Sequence, residues 1–134
     1  MFCSNYVEYW LIALAAWSCG GCIMPVNCEL EPEHLRLQLG QAKAKVIVCD
    51  ELNMSDAVEA LDSVQSLKTI IVIGQPELNV KQCIAVGDLL QDDGKSRPRK
   101  LDTDWEKETI FLPFSSTSSG SRGIQHTHKS LVSR

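Results

Sequence analysis

Basic residues are scarce in this chain and come late. None precedes Arg36, and 13 Lys and Arg stand against 17 Asp and Glu, for a formal charge of -4. A protein that lives on nucleic acid needs a basic stripe to neutralise phosphates, so that class of partner is set aside. The one basic cluster, Lys95-Ser96-Arg97-Pro98-Arg99-Lys100, sits beside Gly94 and acidic neighbours and reads as a solvated loop. A signal peptide needs a basic start, which is also missing.

Charge of either sign is absent from Tyr9 to Cys28. A membrane span needs about 20 mostly apolar residues. Ser18, Gly20, Gly21, Pro25 and Asn27 interrupt this stretch, so a buried helix followed by a buried strand accounts for it, with no transmembrane segment. A second cysteine pair is lacking too. Cys19-Gly20-Gly21-Cys22 has redox or zinc spacing, but the chain holds 6 cysteines with no matching pair and no histidine close by. Half a site argues against metal or disulfide chemistry. Reduced thiols in an intracellular protein are expected. No internal repeat is visible.

What is present is an alternation of helical stripes and apolar runs. Asn5 and Glu8 have capping-box spacing, and Val7, Trp10, Leu11, Leu14 and Ala15 follow at helical intervals. Gly20-Gly21 ends that helix. Glu31-Pro32-Glu33 starts a second, with Leu35 and Leu39 as its stripe, Leu37 widening it, and Gly40 as its stop. Ser55 or Asp56 caps a third. The spacing predicts helices near 6–19, 32–40 and 55–64, and strands near 22–26, 45–49, 69–73 and 109–114. A short strand or turn at 83–86 and a helical turn at 88–91 are less regular, and 91–103 reads as a polar linker or loop. Strands that are apolar throughout are buried on both faces, as in a parallel sheet. The class is therefore α/β, with a mostly parallel sheet and flanking helices.

One stretch stands apart. Ser115-Ser116-Thr117-Ser118-Ser119-Gly120-Ser121-Arg122-Gly123 follows the apolar run 109–114 and precedes a helix start at Thr127-His128. Strand, hydroxyl- and glycine-rich loop, then helix is how α/β proteins build phosphate sites. Backbone N–H groups converge on the anion, hydroxyls add donors, and a guanidinium adds charged ones. A solvated Ser-rich loop with no ligand is the other reading.

Two stretches resemble the adenylate-forming superfamily, which includes acyl-CoA synthetases, 4-coumarate:CoA ligases and luciferases. The first runs from Ser4-Asn5-Tyr6-Val7-Glu8 through Gly20-Gly21, Pro25-Val26-Asn27 and Glu31-Pro32-Glu33-His34-Leu35 to Ala44-Lys45-Val46-Ile47-Val48. The second, Leu112 to Leu131, is similar to the family's phosphate loop, Ser-Ser-Gly-Thr-Thr-Gly-x-Pro-Lys-Gly, and its Thr-His-x-x-Leu helix start. Thr117 replaces the loop's first glycine, a poor exchange if that position needs φ > 0. One residue is missing between Gly120 and Arg122, so the motif's proline has no counterpart, and Arg122 replaces lysine.

The resemblance implies a phosphate site formed by Ser115, Ser116, Thr117, Ser118, Ser119, Gly120, Arg122 and Gly123, with no catalytic residue in this chain. It implies ATP with magnesium, a small carboxylic acid and coenzyme A as ligands of the whole ligase. The reaction is acyl-adenylate formation, then thioester formation. Residues 1–134 correspond to an incomplete N-terminal adenylation domain ending just after the loop at 115–123. The adenine, ribose and magnesium contacts and the C-terminal domain's lysine are expected downstream, so the rest of the ligase chain is the expected partner. A cytoplasmic or peroxisomal place is expected. A truncated, non-catalytic chain that binds nucleotide weakly, or only docks to partners, is the alternative. A membrane-attached or redox module at 9–28 is a third.

Overall fold

The structure, a computed structural model, describes residues 1–76, 80–96, 98, 102–117 and 120–133. Its centre is a parallel sheet in the order β1-β2-β3: Val46–Asp50, Thr69–Ile73 and Cys83–Ala85. β1 and β2 pair over their full length, Val46 with Thr69 through Asp50 with Ile73. Alternate side chains of these strands point to opposite faces, and both faces are covered. On one side Ile47, Cys49, Ile70 and Val72 pack with Leu35 and Leu39 of α2 (Pro32–Gln41) and Ala57 and Ala60 of α3 (Met54–Ser63). On the other, Val48 and Ile73 meet Ala13 of α1 (Val7–Ser18) and Val86 of α4 (Val86–Leu89). The continuous apolar runs thus reflect burial on two sides, as expected. Ile70, Val72 and Ile73 are buried.

The outer edge of β1 is guarded. Phe2 forms a parallel bridge with Cys49, its N–H donates to the Val48 carbonyl at 2.7 Å, and its ring is wholly buried. Asp50 closes β1. Its carboxylate accepts from the Ser4 N–H at 3.0 Å, the Asn53 N–H at 3.1 Å and Asn53 Nδ2 at 2.6 Å. It thereby caps the 3-10 turn Glu51–Asn53 that leads into α3.

Several expectations change. α1 starts after Tyr6 with no side-chain cap, so Asn5 and Glu8 form no capping box. Its buried face carries Ala13, with Tyr9, Ile12, Ala16 and Trp17 packed beside it. The expected stripe faces out: Val7, Trp10, Leu11 and Leu14 are exposed. A helix apolar all round gives periodicity no purchase. α2 runs through Gly40, and Leu37 is exposed. The left-handed residue that ends α2 is Lys43, at φ 50°. α3 begins at Met54, and neither Ser55 nor Asp56 caps it.

No strand forms over 22–26. Ile23 makes one bridge, to Phe111, while Met24 and Val26 are buried and bond to Met1 through their backbone. Gly20-Gly21 does end α1. Gly20 has φ 75°, and a Cβ on Gly21 would lie 2.9 Å from the Ala16 carbonyl oxygen.

Candidate functional site

The run 109–114 is two strands. β4 (Thr109–Phe111) pairs antiparallel with β7 (His126–Thr127). Leu112-Pro113 breaks the run, since proline has no N–H for a ladder. β5 (Phe114–Thr117) then pairs antiparallel with β6 (Gly120–Gly123). The expected strand–loop–helix is therefore strand, hairpin, strand, helix. α5 (His128–Val132) starts only after β7.

Three observations hold β4 to the body. Trp17 Nε1 donates to the Ile110 carbonyl at 2.8 Å. The Ile23 N–H donates to the same carbonyl at 2.9 Å, and the Leu112 N–H to the Ile23 carbonyl at 2.8 Å. α5 is closed by a reciprocal cap: Ser130 N–H to Thr127 Oγ1 at 3.2 Å and Thr127 N–H to Ser130 Oγ at 2.9 Å. Thr127 of the Thr-His motif is thus a helix cap in this chain.

The hairpin register fixes what meets what. Phe114 pairs with Gly123, Ser115 with Arg122, Ser116 with Ser121, and Thr117 with Gly120. Directly opposed residues share a face and neighbours alternate. One face holds Phe114, Ser121 and Gly123. Phe114 packs against the main core, and a Cβ on Gly123 would lie 3.1 Å from Leu112 Cδ1. Ser121 Oγ lies 3.0 Å from Gln38 Nε2 of α2. The other face carries Ser115, half-buried, and Arg122, exposed. A hydroxyl and a guanidinium thus stand side by side, a pair of donors suited to a phosphate oxygen.

Ser118 and Ser119 of the expected site lie outside the described residues. Ser116, Thr117 and Gly120 are placed by backbone pairing alone. Thr117 is extended and paired, so the positive φ feared there is not used. Sequence reasoning missed Gln38, which is 83 residues from its partner. No turn dipeptide such as Asn-Gly or Gly-Gly separates β5 from β6 in the sequence, so the hairpin carries no signal of its own there.

Two clefts lie elsewhere. One of about 830 Å³ is lined by Arg36, Lys43, Ser66 and Lys68, where the chain enters β1 and β2. Ligands of α/β sheets bind beyond the opposite, carboxyl ends. The other, about 470 Å³, lies among Trp17, Gly20, Asp102, Trp105, Glu108 and His128. Among the described residues no three of His, Cys, Asp and Glu gather to hold a metal. All six cysteines are free thiols, Cys19 and Cys22 exposed and Cys49 buried. Burial pushes the Cys49 thiol up to about 12. Exposed Lys95 pairs with Asp93, whereas 97, 99 and 100 lie outside the described residues. No helix among the described residues is long and apolar enough to cross a membrane.

Comparison with known proteins meets this geometry. The chain matches the AMP-binding enzyme family over residues 1–134. It belongs to that family, within the adenylate-forming superfamily. It is 26% identical over 137 aligned residues to luciferin 4-monooxygenase of Photuris pensylvanica, covering 97% of this chain and 25% of that one. It is 27% identical over 130 to 4-coumarate–CoA ligase-like 1 of Arabidopsis thaliana, covering 96% and 22%. A long-chain-fatty-acid-CoA ligase from Archaeoglobus fulgidus shares the fold, with TM-score 0.82 at 17% identity over 98% of this chain and 25% of that one. The chain therefore spans about a quarter of the length of these relatives.

Proposed function

We propose that this chain is the triphosphate-holding part of an ATP-dependent ligase that activates carboxylic acids. In that reaction a carboxylate attacks the α-phosphate of ATP and releases pyrophosphate. The thiol of coenzyme A then attacks the acyl carbonyl of the acyl-adenylate, forming the thioester and releasing AMP. The observation that carries this reading is the cross-strand pair Ser115–Arg122 on the free face of a hairpin, within a chain of the AMP-binding family. The first step needs no protein nucleophile. It needs positioned donors where charge gathers. Ser115 and Arg122 would hold terminal phosphate oxygens, with the Thr117–Gly120 pair, which shares their face in the register, extending the cradle. Magnesium would arrive on the nucleotide, its acidic ligand expected from the rest of the ligase.

A phosphate clamp alone binds ground and transition state alike and gives little rate. The 134-residue chain is therefore expected to bind ATP weakly and to catalyse no carboxylate-dependent ATP–pyrophosphate exchange. A version extended to the length of its relatives is expected to catalyse it. Titration with ATP, and exchange assays over fatty and aromatic acids, test both. Arg122→Ala should weaken ATP binding by roughly 1.5 to 3 kcal/mol, the value of a charged hydrogen bond. An Arg122→Ala chain that binds ATP as well as the parent would remove the role given to that residue. Exchange by the short chain would show that the catalytic groups are already present in it.

A further inference from the structure

We infer that Gln38 of α2 is a positioning residue for the hairpin, holding Ser121 so that Arg122 is turned to the ligand face; this rests on the phosphate reading above. Gln38 lies between Leu35, wholly buried, and Leu39, 2% exposed, both in the main core. The turn of helix that carries it is therefore fixed by packing. Its amide meets Ser121 Oγ at 3.0 Å, half-buried. Ser121 directly precedes Arg122, and neighbours in a strand point to opposite faces. Pinning residue 121 inward therefore sends residue 122 outward. Phe114 and Gly123 fix the base of the hairpin in the same sense. Gln38 reaches the hairpin beyond that base, at Ser121, from the sheet body. The bond survives reversal of the amide, because the Ser121 hydroxyl can donate to Oε1 as readily as accept from Nε2.

The test uses the 134-residue chain, amide hydrogen exchange and ATP titration. Alanine is a strong helix former, so Gln38→Ala is expected to keep α2 intact. Gln38→Ala and Ser121→Ala should each speed exchange of the β5 and β6 amides by roughly three- to tenfold, the worth of one hydrogen bond. Each should weaken ATP binding by a similar factor. The double variant should be no worse than either single one, as expected for two ends of one contact. Gln38→Glu can still accept from Ser121, so it should keep slow exchange. It should nonetheless weaken ATP binding, because it adds an anion near the phosphates, and salt should diminish the difference. Unchanged hairpin exchange in Gln38→Ala, or additive effects in the double variant, would overturn the contact's role. A loosened hairpin with undiminished ATP affinity would overturn the positioning role. Failure of the unaltered chain to bind ATP at all would sink the phosphate reading instead, with exchange still deciding whether Gln38 anchors the hairpin.

Discussion

The sheet body and the arm that follows it are held in different ways. In the body, β1 and β2 carry Ile47, Cys49, Ile70 and Val72 at almost no exposure, and helices close both faces. In the arm, from Thr109 onward, Ile110 is the one buried apolar side chain among the described residues. Phe111 and Phe114 pack only at the margins of the two cores, and the other attachments are directional: an indole N–H to a carbonyl, two backbone bonds across Ile23, and a glutamine to a serine. Area removed from water stabilises the body at about 25 cal/mol per Å². Single hydrogen bonds, each worth about 1 kcal/mol net, orient the arm. The candidate phosphate donors stand on the arm. That division is physically sensible, because binding segments are drawn from the less stable parts of a fold.

The harshest way to break the contrast is to hollow the body. Leu35 is wholly buried between α2 and the sheet. Leu35→Ala should cost about 2 to 5 kcal/mol. Urea unfolding should show that loss, and amides of β1 and β2 should lose protection by the same amount. Amides of β5 and β6 open locally at lower cost and should change little. Equal loss in both regions would make body and arm one cooperative unit.

Next in size is the polar lock at the end of β1. Asp50 is 1% exposed and accepts three hydrogen bonds. Burial pushes its carboxyl up, but the bonds from Ser4 and Asn53 together hold it below the usual carboxylate range. Asp50→Ala leaves the part-buried donors of Ser4 and Asn53 without their charged acceptor and should cost about 2 to 3 kcal/mol. The folded state has the lower pKa, so the carboxylate's contribution is present above the unfolded value and is lost as pH falls through the folded one. A urea midpoint unmoved by Asp50→Ala would show that the lock adds nothing to the body.

A pH scan reads the same body from its other strap. The Met1 amine donates to the Met24 carbonyl at 2.7 Å. Burial lowers its pKa from 8.0 to about 6. Between those values the unfolded chain binds a proton that the folded chain does not, so stability rises with pH through that window. For a chain with a free amino terminus, the rise from pH 6 to 8 should approach roughly 2 kcal/mol, at 1.36 kcal/mol per unit. Urea midpoints across that range measure it, with an N-acetylated chain as the control lacking the slope. Identical slopes in the two chains would mean the amine is not buried.

The contrast also marks where the sequence is legible. Apolar runs 46–50 and 69–73 are strands because burial on two faces demands them, and sequence shows burial directly. The helix α2 follows from its Leu35 and Leu39 stripe for the same reason. α1 was read with the wrong face, because all its sides are apolar and only the shape of the sheet chooses Ala13. In the arm, hydroxyls, glycines and an arginine carry no burial pattern, so the hairpin reads as a loop in sequence. The residue types at the candidate site could be read from the sequence, whereas their pairing across β5 and β6 and the tie to Gln38 could not.

The smallest effect tests the body at the point where glycine was expected to act. α2 was read as stopping at Gly40, yet its end is a Schellman-type turn three residues later. The Ala44 N–H bonds to the Leu39 carbonyl at 2.9 Å and the Lys43 N–H to the Gly40 carbonyl at 3.1 Å. Lys43 therefore takes the left-handed conformation, φ 50°, that glycine adopts without strain. Gly40 is inside the helix, and a Cβ there would meet nothing within 4 Å. Each residue is in the other's best place. Gly40→Ala should stabilise by about 0.5 to 1 kcal/mol through the unfolded chain's lost freedom. Lys43→Gly should add a similar amount by relieving the left-handed lysine. The positions share one turn, so the double variant need not equal the sum. Urea midpoints of the two single variants and the double one read this. Destabilisation by either would mean that α2 does not end as described. Hairpin exchange should stay unchanged throughout, because the turn bearing Gln38 is already held by Leu35 and Leu39. A tighter hairpin in the double variant would show that the stability of α2's end reaches the arm through Gln38.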